Sequence, residues 1–314
     1  MDRRDILKSA VVAGAGAGFM ACSSQAMAVT GGPAASPTKA PPASFIRTRD
    51  GVELFYRDWG TGKPVVFLSG WTLCSDMWNY QMVPLSDQGL RCIAYDRRGH
   101  GRSSDPGRGY DYDTLADDLA AVLEALDLRD VTLVGHSMAS GELVRYLSRH
   151  GPGRIARLVF LAPAATPFVR KTADNPDGVD ESLFEHVRNN LLLRDFPKWL
   201  ADNAPPFFVA DTSPAIRDWV MSQMLRCSMK ATIDCHRAMS STDFRAELPR
   251  ISLPTLIIHG DKDASAPLHL TGQKTAQLIP GSRLVVYEGA PHGLFVTHTE
   301  RLNGDLLAFV RNER

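Results

Sequence analysis

From residue 45 onward, hydrophobic and polar positions alternate in blocks rather than singly. "PVVFLSG", "RCIAYD", "VTLVGHS", "ARLVFLAP", "TLIIHG" and "RLVVYEG" are short, almost continuously apolar runs. Strands read this way when a mostly parallel sheet is covered by helices on both faces. Between them lie segments of helical period, such as "YDTLADDLAAVLEALDL", where Leu115, Leu119, Val122, Leu123 and Leu126 recur at near 3.6 spacing. Ahead of the first run, "FIRTRDGVELFYRDWG" predicts a hairpin turned at Asp50-Gly51. The order is α/β over residues 45–314, with no repeat of fixed period and no second globular domain.

One region breaks the alternation. Residues 165–247 carry helical patterns and proline breaks but no strand run, so a helical lid inserted after the run ending at Pro163 is expected. There it would lie over the carboxyl ends of the strands, where open α/β sheets bind ligands. Phe168, Trp199, Phe207, Phe208, Trp219, Met221, Met224 and Met239 would fill the lid's own core or, alternatively, line an apolar pocket.

The first 28 residues follow a different logic. Arg3 and Arg4 precede an Ala/Gly/Val-rich stretch from Ala10 to Ala21 and a small-residue end at Ala26-Met27-Ala28, the pattern of a twin-arginine export signal. The apolar run is short and glycine-rich for a bilayer core of roughly 30 Å. A permanent anchor, or a lipid on Cys22 behind the bulky Phe19-Met20, are the alternatives. Residues 29–44, rich in Pro, Gly, Ala and Ser, read as a disordered linker. The expected destination is periplasmic or secreted. With 35 basic and 35 acidic residues the chain offers no electrostatic reason to bind nucleic acid or to hold a membrane surface. Four of the five cysteines, Cys74, Cys92, Cys227 and Cys235, lie beyond the signal. They are expected as buried free thiols, because twin-arginine substrates fold in a reducing compartment.

The chemistry concentrates at "VTLVGHSMASGELV", a near match to G-x-S-x-G with Ala139 in the last small position. A strand ending at Gly135-His136 and a helix starting near Met138 leave Ser137 on a sharp turn above the sheet, beside the free N–H of Met138. A serine hydroxyl needs a general base, and the base needs a carboxylate to fix its tautomer. "TLIIHGDKDASAP" supplies Asp261 and Asp263 just past one strand, and "RLVVYEGAPHGLF" supplies His292 just past the next. Asp263, able to reach beyond the turn, is preferred to Asp261, which suits backbone hydrogen bonds. His292 is preferred to His298, which falls a turn or two into the following helical pattern, while His136 and His259 read as packing or supporting residues. A second oxyanion donor is expected in the loop after "VVFLSG", where Trp71 follows Ser69-Gly70.

"SGWTLCSDMWNYQMVPLSDQGLRCIAYDRRGHGRSS", "VGHSMASGELVRYLSRHG" and the lid stretch "KTADNPDGVDESLFEHVR" resemble the cofactor-free haloperoxidase and arylesterase group of α/β-hydrolases, from about residue 45 to the C-terminus. The resemblance implies a Ser137, Asp263, His292 triad, backbone donors at Trp71 and Met138, and no metal or organic cofactor. It also implies an acyl-enzyme route on carboxylic esters of small or aromatic substrates, with perhydrolysis as a side activity. Dehalogenases and epoxide hydrolases of this fold would carry Asp at 137. Lactonases and carbon–carbon bond hydrolases share the triad, and a ligand-binding protein on the same scaffold is the alternative of another class. Two departures stand out: the family usually has His-Gly where this chain has Ser69-Gly70, and Gly where it has Ala139.

Overall fold

In the computed structural model, which describes residues 44–164 and 170–312, the apolar runs become strands of one eight-stranded sheet. The strands are β1 (Phe45–Arg47), β2 (Glu53–Trp59), β3 (Lys63–Leu68), β4 (Leu90–Tyr95), β5 (Val131–His136), β6 (Ile155–Leu161), β7 (Thr255–Gly260) and β8 (Arg283–Tyr287). Their spatial order is β1-β2-β4-β3-β5-β6-β7-β8, antiparallel at β1/β2 and β2/β4 and parallel from β4 to β8. The β1–β2 hairpin pairs Phe45 with Phe55 and turns through Gly51 at a φ of +88°, a conformation open to glycine. The signal, the linker up to residue 43 and Phe168 lie outside the described residues.

Continuous apolarity in the strands follows from burial on both faces. In β3, Val65 and Phe67 point into one core layer while Val66 and Leu68 point into the other. Helices α1 (Asn79–Asp87) and α10 (Thr299–Arg311) cover the Val65 side with Met82, Leu85, Leu302 and Leu306. Helices α2 (Tyr112–Ala125) and α3 (Ala139–His150) cover the other with Leu115, Leu119, Leu123 and Leu143. Asp111 starts α2 by accepting from the N–H of Thr114, as a cap should.

Between β6 and β7 the chain builds α4 (Glu181–His186), α5 (Leu193–Asn203), α6 (Pro214–Met224) and α7 (Met229–Ser241), and no strand longer than an isolated bridge occurs among its described residues. A π-helical stretch, Val187–Leu192, joins α4 to α5, and Asp195 breaks α5 with φ −159° and ψ 76°. Helices α8 (Gly272–Leu278) and α9 (Leu294–Thr297) complete the chain. His298 stands at the break between α9 and α10 rather than inside a helix; it bonds Thr297 Oγ1 and packs on Tyr287. Cys74, Cys92, Cys227 and Cys235 are buried free thiols, and burial pushes Cys74 up to about 11 and Cys92 and Cys227 up to about 12. Cys227 sits in the turn between α6 and α7 rather than within a helix. No helix among the described residues is long and apolar enough to cross a membrane.

Candidate active site

Strands β5 to β8 are parallel neighbours, so the loops leaving their carboxyl ends meet along one edge. Chain order on that edge is Ser137 after β5, Asp263 after β7 and His292 after β8. The neighbour of β5 on its other side is β3, whose exit carries Gly70-Trp71. The sheet therefore delivers four segments of distant sequence to one point.

Ser137 has a φ of +55°, a left-handed conformation that costs a non-glycine residue about 1–3 kcal/mol. The surroundings enforce it. A Cβ on Gly135 would lie 2.9 Å from Leu143 Cδ1 and 3.1 Å from the Ala139 carbonyl oxygen, and one on Gly141 would lie 2.6 Å from the Tyr112 ring. Close approach thus demands glycine at 135 and 141, while the Ala139 methyl is buried in the α2–α3 core layer.

A continuous hydrogen-bond chain runs through the three side chains. Ser137 Oγ donates to His292 Nε2 at 2.9 Å, and His292 Nδ1 donates to Asp263 Oδ2 at 2.6 Å. Asp263 Oδ1 accepts the N–H groups of Ser265 and Ala266 at 2.9 and 2.7 Å. His259 Nε2 faces Asp263 Oδ2 at 3.0 Å and the Ala266 carbonyl at 2.8 Å; two acceptors there place the proton on that nitrogen. Burial works to raise the Asp263 pKa, but the charge of His292 and the hydrogen bonds from His259 and His292 prevail and hold it well below the usual carboxylate range. Asp261 lies apart from this chain, accepting the N–H of Gly289 at 2.7 Å.

The N–H groups of Met138 and Trp71 have no acceptor among the described residues. Gly70 passes so near the elbow that a Cβ there would sit 2.6 Å from His136 Nδ1 and 3.5 Å from Ser137 Cβ. Sequence reasoning missed what holds this loop. Arg97 and Glu142 are 3% and 1% exposed and form a buried ion pair between the β4 exit and α3. The same guanidinium donates to the carbonyls of Ser69 at 2.7 Å and Gly70 at 3.4 Å. Burial disfavours its charge, yet Glu142 outweighs that and its pKa is raised. The loop is thus anchored through main-chain carbonyls, whereas Ser69 Oγ is buried with no hydrogen-bond partner. "DRRGHG" marks two arginines without saying which turns toward this loop; Arg98, equally buried, pairs with Asp50 and Asp118.

Above the elbow opens a cavity of about 1040 Å³, walled by Ser137, His292 and Trp71 below and by the helices of 181–241 above. Trp199, Phe207, Met221, Met224 and Met239 line it, which corrects the expectation that such residues primarily fill the lid's own core. Phe208 is buried without lining the cavity, and Trp219 packs against Tyr80.

The sequence pattern of the alpha/beta hydrolase fold family matches residues 63–299. The chain is 44% identical over 270 residues to a non-heme chloroperoxidase of Kitasatospora aureofaciens, covering 84% of this chain and 98% of the relative. It is 38% identical over 276 residues to a bifunctional esterase/perhydrolase of Acinetobacter calcoaceticus, covering 85% and 99%. Among solved structures, a bromoperoxidase from Bacillus anthracis superposes with a TM-score of 0.80 at 40% identity, over 85% of this chain and 99% of that one. An esterase from Exiguobacterium antarcticum gives 0.81 at 33%, over the same shares. Sheet order, the serine turn after β5 and these likenesses agree: the chain belongs to the alpha/beta hydrolase fold family.

Proposed function

We propose that this protein is a serine hydrolase of small carboxylic esters, cyclic ones included, acting through an acyl-enzyme. His292 takes the proton of Ser137 as the hydroxyl attacks the ester carbonyl, and Asp263 holds the tautomer and stabilises the imidazolium. The N–H groups of Met138 and Trp71 face the oxygen that becomes negative. The imidazolium then protonates the departing alcohol, and His292 activates water to release the acid. One observation carries the reading: an unbroken Ser137–His292–Asp263 chain whose serine and histidine line a large cavity.

Hydrogen peroxide can take the place of water in the second half. The acyl-enzyme then yields a peracid and free Ser137, and the peracid passes one oxygen to a halide ion, giving hypohalous acid and the carboxylate. The chloroperoxidase and esterase/perhydrolase activities for which the relatives are named support this side activity. The test is a panel of p-nitrophenyl esters and lactones, with and without peroxide, on the parent and on Ser137→Ala. Turnover lost by several powers of ten in the variant, with an organophosphonate adding one mass equivalent at Ser137 in the parent, is expected. Unchanged esterase activity in Ser137→Ala would overturn the assignment.

A further inference from the structure

Part of the cavity wall is aromatic. Trp71, Phe184, Trp199 and Phe207 line it, and among them stands His236, on α7. Its position is tied to the reaction centre by one short path. The Trp71 indole Nε1 donates to the carbonyl of Thr232 at 2.9 Å, one turn before His236 on the same helix. The imidazole then lies on the indole, ring centroids 5.4 Å apart, with Phe184 edge-on at 5.9 Å on its other side. Trp71 is also the residue proposed above as the second oxyanion donor, and it lines the same cavity as Ser137 and His236.

His236 is 6% exposed, and its Nδ1 is buried with no hydrogen-bond partner. No hydrogen bond to either ring nitrogen occurs among the described residues. A ring nitrogen kept from water and left unpaired is costly, of order 1–3 kcal/mol for such a group. An aliphatic side chain would pack between Trp71 and Phe184 without that cost. Burial, with the charges of Arg188 and Arg237, pushes its pKa down to about 4, so near neutrality the ring offers one donor and one acceptor. Chemistry of this kind suits a ligand that brings its own hydroxyl between aromatic faces.

We propose that His236 is a specificity-determining residue that hydrogen-bonds a hydroxyl group on the aromatic ring of an ester bound between Trp71, Phe184 and Trp199. The proposal names the substrate class for the site described above, and so rests on the ester-hydrolase reading.

Matched pairs test it: methyl benzoate against methyl 3- and 4-hydroxybenzoate for the acyl side, phenyl acetate against 3- and 4-hydroxyphenyl acetate for the alcohol side. The quantity read is the kcat/KM ratio within each pair, compared between the parent, His236→Leu and His236→Asn, which cancels the intrinsic reactivity of each ester. In at least one pair the hydroxylated member should lose about tenfold relative to its partner in the Leu variant, with part of the loss recovered by Asn. Equal loss on both members of every pair, the result of a merely packing role, overturns the proposal. Calorimetric titration with phenol and toluene needs no turnover and reads the same contact in the parent and in His236→Phe, which keeps an aromatic ring between Trp71 and Phe184, should His236→Leu fail to fold. A phenol-over-toluene preference that falls in the variant supports the proposal, and identical preferences overturn it. If the parent hydrolyses none of the esters, the hydrolase reading fails while the titration still decides the role of His236.

Discussion

Replacing Arg97 by Met removes the guanidinium that ties the Ser69-Gly70 loop to α3, and two consequences of different kind follow. The first concerns stability. Glu142, 1% exposed, is left as an uncompensated charge, at a cost of about 3–5 kcal/mol, a large part of the 5–15 kcal/mol margin of an ordinary domain. The second concerns rate. Two charge-assisted hydrogen bonds to the Ser69 and Gly70 carbonyls disappear, and with them the fixed direction of the Trp71 N–H. Complete loss of one oxyanion donor costs about 10²–10³ in kcat, so a donor that is loosened but present should cost about ten- to a hundredfold. Arg97→Met combined with Glu142→Leu separates the two, since removing both charges restores most of the stability while leaving the carbonyls unheld. Urea unfolding and kcat on saturating p-nitrophenyl acetate, at a temperature where every variant is folded, are the assays. The double variant should unfold near the parent midpoint yet remain slow. Parent-like kcat in that variant would show that the ion pair supports the fold and leaves the oxyanion loop alone.

Asp263→Asn should cost orders of magnitude in kcat with little change in KM, because an amide cannot stabilise the imidazolium of His292. Asp261→Asn should act on stability alone through its bond to Gly289; the reverse pattern in steady-state kinetics would move the acid two residues earlier. Since the Asp263 pKa is depressed on folding, its carboxylate contributes stability that is present above about pH 4 and is lost as pH falls through its lowered folded value. The difference in thermal midpoint between parent and Asp263→Asn should therefore be constant from pH 5 to 7 and shrink below pH 4. Ala139→Gly should leave kcat within about tenfold of the parent, because the methyl is a packing element worth about 1 kcal/mol. A large change in kcat at unchanged stability would make that methyl part of the serine turn.

The cluster at the strand ends could be read from the chain because each member follows an apolar run directly, and parallel strands put all such exits on one edge. The choice between Asp261 and Asp263 rested on reach, and the turn geometry separates them: the first stays at the β8 exit, the second folds back beneath His292. What holds the site was not legible. Arg97 and Arg98 are adjacent and chemically alike; only the packed loop sends one toward Ser69 and Glu142 and the other toward Asp50 and Asp118. His236 sits in a helical pattern where apolar positions read as core, and nothing in that periodicity distinguishes a face turned to a cavity from one turned to a neighbouring helix. The same ambiguity made Trp199, Phe207 and Met239 look like lid filling.

Three imidazoles crowd the catalytic edge, and their hydrogen bonds give them different capacities. His136 spends Nε2–H on the carbonyl of His292 at 3.1 Å, while its Nδ1 faces Gly70 with no partner. Burial and the charge of His292 push its pKa down to about 3, so it stays neutral and fixes the backbone that carries His292. His259 spends Nε2–H on Asp263 and Ala266, and its Nδ1 is likewise unpartnered and sealed. A second proton on His136 would bury an unpaired N–H. His292 differs: one nitrogen already donates to a carboxylate and the other already accepts from the serine hydroxyl. A proton arriving from Ser137 therefore creates a cation whose donors both have acceptors, beside the Asp263 carboxylate that His259 also contacts. The proposed role of His292 as the base is thus supported by where its neighbours have already placed their protons.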